Sequence, residues 1–170
     1  DPIDAAFARC DLSLCLILRD PAKCRSLAEE ALGFGEEVED TRIIATAKRA
    51  IGRSHSVEYE LHRAAALSLE AEYLFNDIGD RVREGEAMLE RMFHAVSSGA
   101  YAVAASLEGP ILDLLGKPQD GADEYLRLLS IAGVYGAMGG VVREVQDDTD
   151  MCRRYAALQI AFARAAPEPL

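Results

Sequence analysis

The chain has no tryptophan, and aromatic residues make up 6% of its 170 positions. Proline is scarce at six residues, and β-branched residues are sparse. Few strand formers and few helix breakers argue against an all-β fold. Lysine is confined to Lys23, Lys48 and Lys117. No basic run exists, so the positive footprint of a folded nucleic-acid binder is missing. Anionic membrane surfaces are disfavoured on the same ground. No run approaches the roughly 20 apolar residues of a membrane span, so no stable insertion is expected. The four cysteines, Cys10, Cys15, Cys24 and Cys152, match no zinc or redox spacing and read as thiols of a reduced, cytoplasmic compartment. The opening DPIDAAFARC has no basic n-region, so no signal peptide is expected.

What is present is alanine, the commonest residue and the best helix former. Half the chain is hydrophobic and 28% is charged, which excludes a disordered chain. At this length, folding buries roughly 70% of the extended surface, enough for one core without metals or disulfides. The formal net charge is −11, from 29 acidic against 18 basic residues. The expectation is a single all-α domain over residues 1–170.

Helix punctuation divides that domain. Asp1–Pro2 and Asp20–Pro21 are helix starts, a cap followed by proline at the first helical position. The second helix is expected to stop at Gly33 and Gly35, and a third to cover 38–52. Ser54, His55 and Ser56 read as a turn. A long helix follows over about 57–78 and another over about 86–98. Helical text continues after Gly99, where Pro110 should kink or split it, and the stretch 116–121 reads as a loop. The last helical text runs from 122 into the glycines at 136, 139 and 140, with the acidic cluster 146–150 on the turns that follow. No repeat period is read. The histidines, His55, His62 and His94, are scattered.

Two acidic clusters carry the chemistry. Asn76, Asp77 and Asp80 fall on one helix face at i, i+1 and i+4. Asp147 and Asp148, with Asp150 and Glu144 nearby, form the second. Like charges within a turn repel unless a cation or water compensates them. Carboxylate oxygens suit Mg²⁺, which is often shared with substrate phosphates.

Around these clusters the chain resembles the trans-isoprenyl diphosphate synthases, the polyprenyl synthetase family, over most of its length. The family's second aspartate-rich region is similar to YGAMGGVVREVQDDTDM at 135–151, with Gly136, Gly140, Val145, Asp147 and Asp148 on their counterparts. Its first region is similar to AAALSLEAEYLFNDIGD, which ends in Asn76, Asp77 and Asp80, and VREG follows as the family's Arg-Arg-Gly does. SSGAYAVAASLEGPIL at 97–112 resembles the K-T-G-A and G-A-I-L steps, and TRIIATAKRAIG an upstream helix. The sequence departs from the pattern at Asn76, at Met151, at Arg143–Glu144, and at Ser97 and Ser98, which replace the Lys-Thr pair.

The resemblance implies a bundle of antiparallel helices around a central cavity. It implies Mg²⁺ held by Asn76, Asp77, Asp80, Asp147 and Asp148, the four aspartates being catalytic. It implies chain elongation of an allylic diphosphate by isopentenyl diphosphate, with Lys48, Arg49, Arg83, Ser97, Ser98, Arg143 and Glu144 towards the substrates and Tyr73 setting the depth of the tail tunnel. It implies a homodimer through faces such as 61–74 and 101–115, or a heterodimer with a competent paralogue. The spacing between motifs is shorter than in the family. Two explanations are open: a minimal chain, or one lacking lid segments near 84–87 and 151–156. The departures leave room for an inactive homologue that serves as a regulatory or scaffold subunit. A class I terpene cyclase is a further alternative, on Asn76, Asp80 and Glu84 in NDIGDRVRE and on CRRY at 152–155.

Overall fold

The computed structural model describes residues 1–117 and 121–166, with the side chains of 121 and 122 outside that description. All regular structure among the described residues is helical. It comprises α1 (Pro2–Leu16), α2 (Pro21–Glu37), α3 (Thr41–Val57), α4 (Leu61–Asp77), α5 (Arg81–Ser97), α6 (Tyr101–Leu114), α7 (Gly121–Val145) and α8 (Thr149–Ala165). The all-α class follows from the alanine-rich composition. The helices sort into two compact units, Asp1–Asp80 and Arg81–Leu170.

The helix starts reveal a period that the sequence did not show. From α2 to α7 they fall at 21, 41, 61, 81, 101 and 121, a step of 20 residues. The turns repeat with the same step. Glu39, Tyr59, Gly79 and Gly99 all have positive φ, between 54° and 76°. Each sits at the left-handed position of a Schellman motif. The amides of Asp40, Glu60, Asp80 and Ala100 return to the carbonyls of Gly35, His55, Phe75 and Ala95 at 2.8–2.9 Å. Residue identity hides the repeat, because glycine occupies only two of the four left-handed positions. The legible trace is an acidic residue at 20, 40, 60 and 80. Asp20 and Asp40 cap the helices that follow, accepting from the amides of Lys23 and Ile43.

These turns predict opposite effects for two kinds of substitution. An L-residue in the left-handed region is strained by about 1–2 kcal/mol. Nothing lies within 4 Å of a Cβ built on Gly79 or Gly99, so strain alone decides there. Gly79→Ala and Gly99→Ala should each lose about 1–2 kcal/mol in urea unfolding. Glu39→Gly should gain up to about 1 kcal/mol, less the entropy that glycine adds to the unfolded chain.

In the first unit, α1 packs on α2 and α3, α2 on α3, and α3 on α4. The core is built from small side chains, among them Ala6, Ala28, Ala31, Ala47, Ala50, Ala64 and Ala71, with Phe75 and Ile43 as its bulk. Small residues let the helices approach closely. A Cβ on Gly52 would lie 3.2 Å from Leu67 Cβ and 3.3 Å from the Ala64 carbonyl oxygen. Gly35 does not end α2. It lies inside that helix, where a Cβ would meet Ile43 Cγ2 at 2.9 Å, so its role is close approach to α3. Nor do residues 54–56 form a turn. α3 runs through them to Val57, with the Ser54 hydroxyl donating to the Ile51 carbonyl and accepting from Arg25 Nε.

In the second unit, α5 packs on α6 and α7, α6 on α7, and α7 on α8. Met88, Met92, Ile111, Leu115, Ile131, Val134 and Val141 form its core. α5 begins at Arg81, five residues before the expected start. α6 runs through Pro110, which lies on its exposed side, without a break in the helix. Residues 84–87 and 151–156 are helical, within α5 and α8. The expected loop at 116–121 lies partly outside the described residues. α7 contains a stretch, Asp123–Val145, long and apolar enough to cross a membrane by length and composition, against the sequence expectation. More than half of its window is buried by protein.

Candidate functional site

The first acidic cluster lies where α4 ends. Asn76 and Asp77 are exposed in the last turn of the helix. Asp80 lies three residues beyond α4, and its side chain is 7% exposed. Arg42 Nη2 of α3 donates to Asp80 Oδ2 at 3.1 Å, so this carboxylate already has a cationic partner. Lys48, expected at a substrate diphosphate, bridges α3 to α4 through Glu70 Oε2 at 2.5 Å. Arg49 is half-buried on α3. Tyr73, expected in a tail tunnel, is 63% exposed on α4.

The second cluster is not a helical face. α7 ends at Val145, and Asp147 takes a left-handed conformation with φ 49°. Asp148 is the N-cap of α8, its Oδ1 accepting from the Met151 amide at 2.9 Å. The sequence places these aspartates on continuing turns of helix. The structure spends them on a break, because Asp at a cap satisfies an amide that the next helix cannot. Asp150 pairs with Arg153, and Arg143 with Glu144, both on exposed surface.

The remaining expected residues divide in the same way. Arg83 of α5 donates to Asp123 of α7 at 3.2 Å. Ser97 and Ser98 are exposed at the end of α5, and the Ser98 hydroxyl donates to the Ala95 carbonyl. Glu84 is buried on α5, with Arg81 Nε at 4.0 Å. The cyclase-like Arg154–Tyr155 pair separates, because Tyr155 turns inward to donate to Glu108 of α6 at 3.2 Å. Burial, the Glu108 charge and that hydrogen bond raise the Tyr155 phenol above its usual range. Asn76, Asp77 and Asp80 belong to the first unit, and Asp147 and Asp148 to the second.

The structure assembles a group that sequence reading left scattered. One ligand atom from each of His55, Glu58 and Glu60 lies within 4.8 Å of the others, the only such cluster among the described residues. His55 Nδ1 is 2.7 Å from Glu60 Oε2. Arg25 of α2 pairs with Glu58, and Arg63 of α4 with Glu60 at 3.2 Å. The hydrogen bond from His55, ahead of the Arg63 charge, holds the Glu60 carboxyl below its ordinary value against a smaller opposing effect of burial. A divalent cation here would have to displace two guanidinium groups from its carboxylates. The cluster is an ion-pair network that ties α2, α3 and α4 together. The spacing H-x-x-E-x-E at 55–60 was its only sequence trace.

Two clefts have sizeable volumes. One, of about 250 Å³, is lined by Pro2, Ala5, Arg9, Glu30 and Phe34. The other, of about 300 Å³, is lined by Arg81, Asp113, Leu114 and Lys117. Neither is lined by a residue of the two aspartate clusters. Compared with models of known protein families and with curated proteins, the chain matches none.

Proposed function

We propose that this chain is a non-catalytic helical-repeat module that binds another protein. The 20-residue recurrence of helix starts and Schellman turns carries the reading. Repeats of this kind stack neighbour on neighbour and present extended surfaces to a macromolecule rather than enclosing a reaction site. The use of Asp80 in an ion pair and Asp148 as a cap supports it, since both were expected to hold metal. The inference from repeat architecture to binding is one of analogy between folds.

A second reading keeps the resemblance: a Mg²⁺-dependent prenyltransferase, with its cavity bundle, its isoprenoid diphosphates and its dimer. Asp77 and Asp147 favour it, because both are exposed and neither forms an ion pair among the described residues. One experiment separates the two. The purified chain is incubated with dimethylallyl, geranyl or farnesyl diphosphate and labelled isopentenyl diphosphate, with and without Mg²⁺. Thermal unfolding is followed with Mg²⁺ and inorganic pyrophosphate. The binding-module reading expects no product and an unchanged Tm. Instead, it expects a stoichiometric complex with one protein, identified by cross-linking and rebuilt from the two purified components. Longer diphosphates, or hydrocarbons in the cyclase case, lost in Asp147→Asn, would overturn it. A metal–diphosphate site should raise Tm by mass action even when turnover is slow.

A further inference from the structure

α8 is a 17-residue helix with no buried residue. Only one side is packed, where Tyr155 and Phe162 meet Tyr135 of α7 with ring centroids 6.1 and 5.6 Å apart. The opposite side carries Arg153, Ala157, Ile160 and Arg164 at i, i+4, i+7 and i+11, all exposed, with Arg154 on its flank. Ile160 is 50% exposed. In a chain of net charge −11, this helix holds three arginines against one aspartate.

α1 has the complementary face. Ala6, Cys10 and Ser13 are its buried side. Opposite them lie Asp4, Ala8, Asp11 and Cys15, again at i, i+4, i+7 and i+11 and all exposed, with Leu12 beside them at 50%. Asp4 and Asp11 form no ion pair among the described residues, and neither do Arg154 and Arg164.

We propose that α8 of one molecule docks on α1 of a second copy, head to tail. The two rows have equal length, about 16 Å at 1.5 Å per residue. Laid antiparallel, as consecutive helices in each unit are, Arg164 meets Asp4, and Arg153 and Arg154 fall within a turn of Asp11. Ala8, Leu12, Ala157 and Ile160 form the apolar strip between the charges. The contact is heterologous, so it propagates to rings or short filaments rather than closing as a two-fold dimer. It differs from pairing through 61–74 and 101–115, and it does not depend on the binding-module reading. The net charge opposes self-association at long range. At about 0.1 M salt the Debye length is about 10 Å, so distant repulsion is screened while contact pairs persist.

The test is sedimentation at about 0.1 M salt of the wild type, of Asp4→Arg/Asp11→Arg, and of Arg154→Glu/Arg164→Glu, each checked for helicity. The wild type is expected to rise with concentration above its 18.4 kDa monomer mass. Each charge-reversed variant alone should stay monomeric, because its two faces then carry like charge. Their equimolar mixture should associate again, because each reversed face meets its complement on the other variant. A wild type that stays monomeric throughout overturns the proposal and leaves a further helix of a longer chain, or a foreign acidic helix, as the cover of α8. So does association that survives charge reversal in either variant alone, or a mixture that stays monomeric.

Discussion

Phe75→Ala is expected to destabilise the chain by about 3–5 kcal/mol, the range for large-to-small changes of an aromatic in a core. Phe75 is fully buried in the last turn of α4, and it is the largest fully buried side chain among the described residues. The rest of the first unit's core is largely alanine, which has no side-chain torsion with which to fill a cavity. Its carbonyl also receives the Asp80 amide at 2.9 Å, so the helix end and the core share one residue. Urea unfolding followed by circular dichroism measures the loss. Cysteine labelling offers a local check. Burial, ahead of the Asp11 charge, pushes the Cys10 thiol up to about 11, while Cys15 is exposed. At pH 8 Cys15 should react with iodoacetamide at once and the buried Cys10 and Cys24 only through opening, and Phe75→Ala should speed those two but not Cys15. Phe75→Leu, which keeps most of the volume, should cost clearly less. A loss below about 1 kcal/mol in Phe75→Ala would contradict the packing described for the first unit.

Arg127→Met is the second large effect, expected at about 2–3 kcal/mol from charge-assisted hydrogen bonds in a desolvated setting. The Arg127 residue is 8% exposed. Nε and Nη2 form a fork on the Glu124 carboxylate at 2.6 Å each, and Nη1 donates to the Leu115 carbonyl at 2.8 Å. Leu115 is the C-cap of α6, so one guanidinium ties the end of that helix to the first turns of α7. The Glu124 hydrogen bonds, working against burial, hold the guanidinium above its ordinary value. Methionine keeps the apolar stem and removes all three bonds. Arg127→Lys should recover less than half of the loss, because an ammonium cannot reproduce the fork. The double variant Arg127→Met/Glu124→Gln should be less destabilised than the sum of its parts, which a double-mutant cycle measures. A purely additive cycle would remove the fork from the account.

The sequence by itself determined the helical class and several helix starts. Alanine content, few helix breakers and Asp–Pro pairs act within a few residues, and local interactions of that range are legible in a linear chain. Asp1, Asp20 and the charge balance belong to the same local level. Helix ends were less legible. Gly35 reads as a stop, yet it serves as a contact with Ile43, a residue met only after the chain has turned back on itself. Tyr59 ends α3 in a left-handed conformation that its residue type does not announce. The 20-residue period was hidden for the same reason, since backbone hydrogen bonds repeat there while side chains do not.

The aspartates show the same division at the candidate site. Their types and spacings are visible in the sequence, but the partner of each is not. Asp148 has a capping amide three residues away and Asp80 has Arg42 across a helix pair, and these contacts set what the carboxylates do. His55, Glu58 and Glu60 are brought together by the turn that ends α3, and their cationic partners, Arg25 and Arg63, come from α2 and α4. Tertiary structure decided these roles because the energy of a charged side chain depends on what lies within about 4 Å of it, and in most of these cases that neighbour comes from another helix.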